Sequence, residues 1–229
     1  MKIYQKLVPS GLGNHPNRLL TAINYITIHT TGNRNPSTTA AAHARLQARG
    51  NDGRQASWHY TVDENEIWQS FKDKQQCWHT GTSVGNKTSI GIEICVNSQK
   101  GFLKACEKAA WLTAHLLKKH HLNIKNILQH YDWSGKNCPA ELISREWGIG
   151  WEDFLGMLQS EENEVINAMR AAGVRFDVKH WRKVFEGAVR PNQDWTKVLA
   201  SRIIDNRWGD VDADDIRQAF GVLLGIKRG

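Results

Sequence analysis

Two histidines and a cysteine are the side chains of this chain best suited to holding a metal. His130 and Cys138 sit eight positions apart in the segment 129–139, whose Gly135 and Pro139 argue against a helix there. His29 lies far upstream in 25–31, a β-rich run in which Ile and Thr alternate. A catalytic zinc takes three protein ligands and keeps a fourth position for water, so two imidazoles and one thiolate would complete such a site. The cation so held would keep a net charge of about +1, enough to acidify water in the fourth position and to drive the proton off Cys138. Residue types alone therefore point to metal-assisted amide hydrolysis.

Further blocks lie between the two halves: Ser57-Trp58-His59-Tyr60, Trp78-His79-Thr80-Gly81 and Ser89-Ile90-Gly91-Ile92-Glu93-Ile94. With these in order, residues from about 25 to 139 resemble the type-2 N-acetylmuramoyl-L-alanine amidases, zinc enzymes that share a fold with peptidoglycan recognition proteins, and among them the phage endolysins. The resemblance covers roughly the first two thirds of the chain and is expected to fail after residue 160. It implies that His29, His130 and Cys138 are the zinc ligands and that Glu93 moves a proton from water to the leaving amine. It also places the Lys136 ammonium near the developing oxyanion, through a Lys-x-Cys-Pro pattern, and His79 on the wall of the substrate groove. Other branches carry a catalytic Tyr before the second-strand His; this chain has Trp58, which has no ionisable group, so Trp58 is expected to stack on substrate and Glu93 gains weight. The implied reaction is cleavage of the bond between N-acetylmuramic acid and L-alanine in cell-wall peptidoglycan.

Two other classes compete with this reading. Some relatives of the fold bind muropeptides without cutting them, but these typically lack the third ligand that Cys138 supplies. A purely structural zinc site would need four protein ligands, and Cys77, Cys95 and Cys106 fall at core-like or unmatched positions.

The elements that must position these residues follow from hydropathy patterns. In 25–30, Ile26 and Ile28 share one face and Thr27 and His29 the other. Residues 89–96 repeat the pattern, with Ile90, Ile92, Ile94 and Val96 opposite Gly91, Glu93 and Cys95. Runs 57–63 and 66–71 predict a hairpin about Asp63-Glu64-Asn65, with Trp58 and Tyr60 on one face and His59 on the other. An Ala-rich helix is expected over 40–49, capped from 36–38 and stopped at Gly50, with His43 as surface or filled core. A second helix is expected over 102–121, burying Ala105, Cys106, Ala109, Leu112, Leu116 and Leu117 and leaving His115, His120 and His121 solvated. Ile127-Leu128 reads as a short buried strand leading into His130, and Pro139 as the first turn of a helix. The resulting fold class is α/β, a mixed central sheet flanked by helices.

The chain has 229 residues, 30 Lys plus Arg against 23 Asp plus Glu, and its basic surplus falls before residue 161. Such a surface suits general attraction to a polyanion such as an anionic wall polymer; no Lys/Arg block marks a nucleic-acid arm. Four cysteines without a C-x-x-C pair are expected as free thiols. The first residues carry no apolar signal core, and no apolar run is long enough to span a bilayer. The expectation is synthesis in the cytoplasm, no stable membrane insertion and action on the wall after membrane permeabilisation. Two domains are expected, an amidase over 1–160 and a small all-α domain over 161–229. In the latter, 165–172, 177–189, 194–207 and 212–224 read as short capped helices. Trp181, Trp195 and Trp208 would form its core or stack on wall sugars, and the segment could also mediate oligomerisation.

Overall fold

A computed structural model describes residues 1–158. The expected helices of 161–229 lie outside the described residues. Six strands, β1 (Tyr4–Gln5), β2 (Tyr25–Thr30), β3 (Tyr60–Val62), β4 (Ile67–Gln69), β5 (Ser89–Ile94) and β6 (Ile127–Gln129), form one sheet in the order β1-β4-β3-β5-β2-β6. The β3/β4 hairpin is antiparallel and every other pairing parallel, which makes the sheet mixed. Helices α1 (Ala40–Ala48), α2 (Ser83–Thr88), α3 (Gln99–Lys119), α4 (His130–Ser134), α5 (Ala140–Ser144) and α6 (Trp151–Gly156) flank it. Among the described residues no helix is long and apolar enough to cross a membrane.

The core forms where two periodicities meet. Ile26 and Ile28 of β2 and Ile90, Ile92 and Ile94 of β5 are fully buried, and α3 packs Phe102, Ala105, Cys106, Ala109, Leu112 and Leu116 into the same cluster. Each isoleucine so buried contributes roughly 1.5–3 kcal/mol relative to exposure. Because side chains alternate along a strand, burying that face leaves Thr27, His29, Gly91 and Glu93 on the opposite one. All four cysteines are free and buried.

Local chemistry set the ends of elements differently from expectation in several places. Helix α1 is capped by Thr39, whose hydroxyl accepts from the Ala42 N–H, rather than from 36–38. Helix α3 begins three residues early because Ser98 caps it by accepting from the Gly101 N–H. In the hairpin, Asp63 Oδ1 accepts from the Asn65 and Glu66 amides while Oδ2 accepts from the Ala40 N–H, so one carboxylate fixes both the turn and the start of α1. Ahead of residue 25, β1 adds to β4 and Tyr4 stacks on Trp68 at 5.2 Å. The segment 129–139 does contain helix: His130 opens the single turn α4, which ends at Gly135 in the left-handed conformation (φ 71°). Pro139 caps α5 from outside rather than opening its first turn.

A buried polar cluster joins the hairpin to the end of α3. Asp73, 6% exposed, accepts from Tyr60 Oη and Gln69 Nε2 and pairs with Lys119 Nζ at 2.7 Å and His120 Nε2 at 2.8 Å. His120 is therefore not simply solvated. These partners hold the Asp73 carboxyl down at about 2 against the opposing effect of burial.

Candidate metal centre

His29 stands on β2, the strand next to the sheet edge, with 2% exposure, and the pairing of β2 with β6 brings the start of α4 alongside it. His130 Nδ1 lies 3.1 Å from His29 Nδ1, and Cys138 Sγ lies 3.7 Å from the same nitrogen. The three donors all fall within 4.8 Å of one another. From ordinary zinc bond lengths, tetrahedral donors should be separated by roughly 3.3 Å for two nitrogens and roughly 3.6 Å for nitrogen and sulfur, so the set fits one small cation. Among the described residues no fourth ligand joins the cluster.

Backbone bonds hold the donor segment in place. The Tyr131 N–H donates to the Cys138 carbonyl, folding the loop back onto α4, and the Ala140 N–H donates to Thr30 Oγ1, tying α5 to the end of β2. Arg34, not singled out by the sequence reading, reaches from the loop after β2 to Glu146 at 2.6 Å and covers the Trp147 ring at 5.1 Å. An Arg and a Glu separated by 112 positions leave no local pattern by which to find them.

The protonation states suit a cation in two of the three donors. Burial, then the neighbouring His79 and His130, keeps His29 neutral far below its ordinary value. Burial, then Lys136, lowers His130 to about 4. Burial, then Glu93, pushes the Cys138 thiol up to about 12, so its proton must leave when a metal binds.

The other expected residues divide into those beside the donors and those not. Glu93 pairs in register with His29 across β5 and β2; burial raises it to about 7, opposed by Lys136, and its Oε2 has no hydrogen-bond partner. Lys136 is exposed on the loop before Cys138, near enough for its charge to act on His29, His130, Glu93 and Cys138. Trp58 does not share a face with Tyr60: it precedes β3, and its indole N–H donates to Thr61 Oγ1, the register partner of Glu93. His43 is buried, with its ring 6.0 Å from that of Trp58. His79 is 8% exposed and sits behind His29, with Nδ1 3.0 Å from His29 Nε2. Its ring lies over Gly91, where a Cβ would come within 2.8 Å of Nδ1. His79 is thus held against the nitrogen of His29 that faces away from His130 and Cys138.

Fold and site together define a class: a mixed-sheet protein with three side chains placed to hold a metal ion and a carboxylate alongside. The chain belongs to the N-acetylmuramoyl-L-alanine amidase family, whose model matches residues 19–141. It is 36% identical over 191 residues to the N-acetylmuramoyl-L-alanine amidase XlyA of Bacillus subtilis (strain 168), across 80% of this chain and 63% of that protein. CwlH of the same organism is 34% identical across 70% of this chain and 62% of its own length. This chain thus spans just under two thirds of the length of these relatives. The XlyA match takes in more of the chain than residues 1–160 supply, so the likeness continues past residue 160, where it was expected to fail. Among solved structures, a mutant endolysin from Bacillus subtilis superposes with a TM-score of 0.63 at 38% identity, covering 69% of this chain and 99% of that one. The catalytic domain of XlyA gives 0.62 at 38% identity, with the same coverage of each chain.

Proposed function

We propose that this chain is a zinc-dependent peptidoglycan hydrolase, of the endolysin or autolysin kind, that cleaves the amide between the lactyl group of N-acetylmuramic acid and L-alanine. The observation that carries this is the convergence of His29, His130 and Cys138 with Glu93 in register beside His29, in a chain of this family. Zinc held by the three donors would supply a Lewis acid that polarises the scissile carbonyl and acidifies the attacking water. Glu93, a half-buried residue with one carboxylate oxygen out of solvent and a carboxyl raised to about 7, is poised to take a proton from that water and return it to the leaving amine near neutral pH. Lys136 brings positive charge to where the carbonyl oxygen becomes an anion. Trp58, half-buried beside Thr61, offers an aromatic face to a sugar or peptide. Residues 161–229 would anchor the enzyme to the wall, where the basic first part of the chain also favours an anionic polymer.

The deciding experiment is incubation of the full chain with purified cell walls, followed by mass spectrometry of the released fragments. Amide cleavage yields new L-alanine amino termini and intact glycan strands, abolished by chelation and restored by zinc. New reducing sugars, or no released fragments, would overturn the reading.

A further inference from the structure

Which nitrogen of His29 is free to bind a metal depends on where its proton sits, and the hydrogen bonds beneath the site fix that proton from a starting point some distance away. The Trp133 indole nitrogen can only donate, and it donates to Thr27 Oγ1 at 3.0 Å. Thr27 passes its own hydrogen to Ser89 Oγ at 3.0 Å, and Ser89 in turn donates to the Gly85 carbonyl at 2.8 Å. The Ser89 hydroxyl hydrogen is thereby used. His79 Nε2 lies 3.3 Å from the Ser89 carbonyl and 3.4 Å from Ser89 Oγ, both of which can then only accept from it. So Nε2 of His79 carries the hydrogen, and its Nδ1 is left as an acceptor. His29 Nε2, 3.0 Å from that Nδ1, must be the donor, and the lone pair of His29 falls on Nδ1. That is the atom facing His130 Nδ1 and Cys138 Sγ.

We infer that His79 is a positioning residue for the metal centre: it donates to Ser89, on which the directed hydrogen-bond relay from Trp133 through Thr27 also converges, and its free Nδ1 locks His29 in the tautomer whose Nδ1 can ligate. The inference rests on the proposed zinc chemistry and assigns His79 to a ligand rather than to substrate. Gly91 belongs to the device, because only a residue without Cβ lets the His79 ring lie across β5. Partners that fix the other nitrogen of a ligating histidine are typically worth about 10- to 100-fold in metal affinity.

The test uses the full chain in three forms: unaltered, His79→Leu, which removes the acceptor, and His79→Gln, whose amide oxygen can replace it. Long-range proton–nitrogen NMR spectra of the metal-free, unaltered chain should show His29 protonated at Nε2 and bare at Nδ1. Zinc affinity, measured by competition with a chromophoric chelator, should fall about 10- to 100-fold in His79→Leu and be partly recovered in His79→Gln. Thermal melting of the metal-free forms accompanies each titration. A His29 protonated at Nδ1 in the unaltered chain would overturn the inference, and that readout needs no variant to fold. Unchanged affinity in His79→Leu, or equal weakening in both variants, would overturn it as well. None of these measurements involves peptidoglycan, so a chain that binds zinc as expected but leaves cell walls uncut would refute the proposed hydrolysis and leave the relay standing.

Discussion

His29 and Glu93 are register partners on the neighbouring parallel strands β2 and β5, so a metal donor and a carboxylate emerge side by side from the face that the isoleucine core leaves free. Replacing Glu93 by Gln keeps the shape and removes the proton acceptor. Wall hydrolysis should drop by about 100- to 10,000-fold while zinc content, read by elemental analysis, stays near that of the unaltered chain. Near-normal turnover would remove Glu93 from the mechanism.

Metal binding should release protons in a number set by the donors. His130, lowered to about 4, and His29, lowered well below its ordinary value, are both neutral at pH 6, whereas Cys138 holds its proton to about 12. In a Glu93→Gln background at pH 6, calorimetry in buffers of differing ionisation enthalpy should therefore count about one proton per zinc. Adding Cys138→Ser should cut the count towards zero and weaken binding sharply. A count that ignores Cys138 would be incompatible with its being a ligand.

Asp73 predicts the acid limb of stability. Its folded value of about 2 lies below its ordinary 3.8, so the stabilisation it gives is present above about pH 4 and is lost as pH falls towards 2. One partner, Lys119, is 52% exposed, so solvent screening reduces the effect to about 1–2 kcal/mol. Asp73→Asn should lose about that much at pH 7 and show a shallower decline between pH 4 and 2, as followed by urea denaturation. An unaltered acid limb in the variant would show that other carboxylates control it.

Residues 161–229 are proposed to bind the wall. Fused to a fluorescent protein, they should decorate target cells, and residues 1–160 alone should keep zinc and amidase chemistry while lysing cells less efficiently. An undecorated cell surface together with full lysis by the shorter chain would assign the segment to stability or assembly.

Much of the frame was legible because it obeys short periods. The Ile alternation of β2 and β5 located the core face and hence the face bearing His29 and Glu93, and the 3.6-residue spacing of Ala105, Ala109, Leu112 and Leu116 located α3. Pairing His29 with His130 and Cys138 came from resemblance to a family, since donors 101 and 109 positions apart share no periodicity. The errors share a cause in side chains that bind across the chain or just outside an element. Trp58 departed from alternation because β3 starts two residues later and Thr61 takes its N–H. The link of His79 to His29 left no local signal because the two are 50 positions apart. His120 looked solvated for the same reason, being tied to Asp73 47 positions earlier.

Strand β6 is the outermost strand of the sheet beside β2, held by three residue pairs; His130 follows it directly and Cys138 lies in the loop beyond α4. A cation held by His29, His130 and Cys138 would act as a rivet at the margin of the sheet, fastening the end of β6 and the loop beyond it to β2. Stripping the metal would then loosen one border of the molecule while the isoleucine core stays closed, baring backbone amides that can pair with a second chain. Loss of such a cation would thus carry a hazard of self-association, separate from any loss of chemistry.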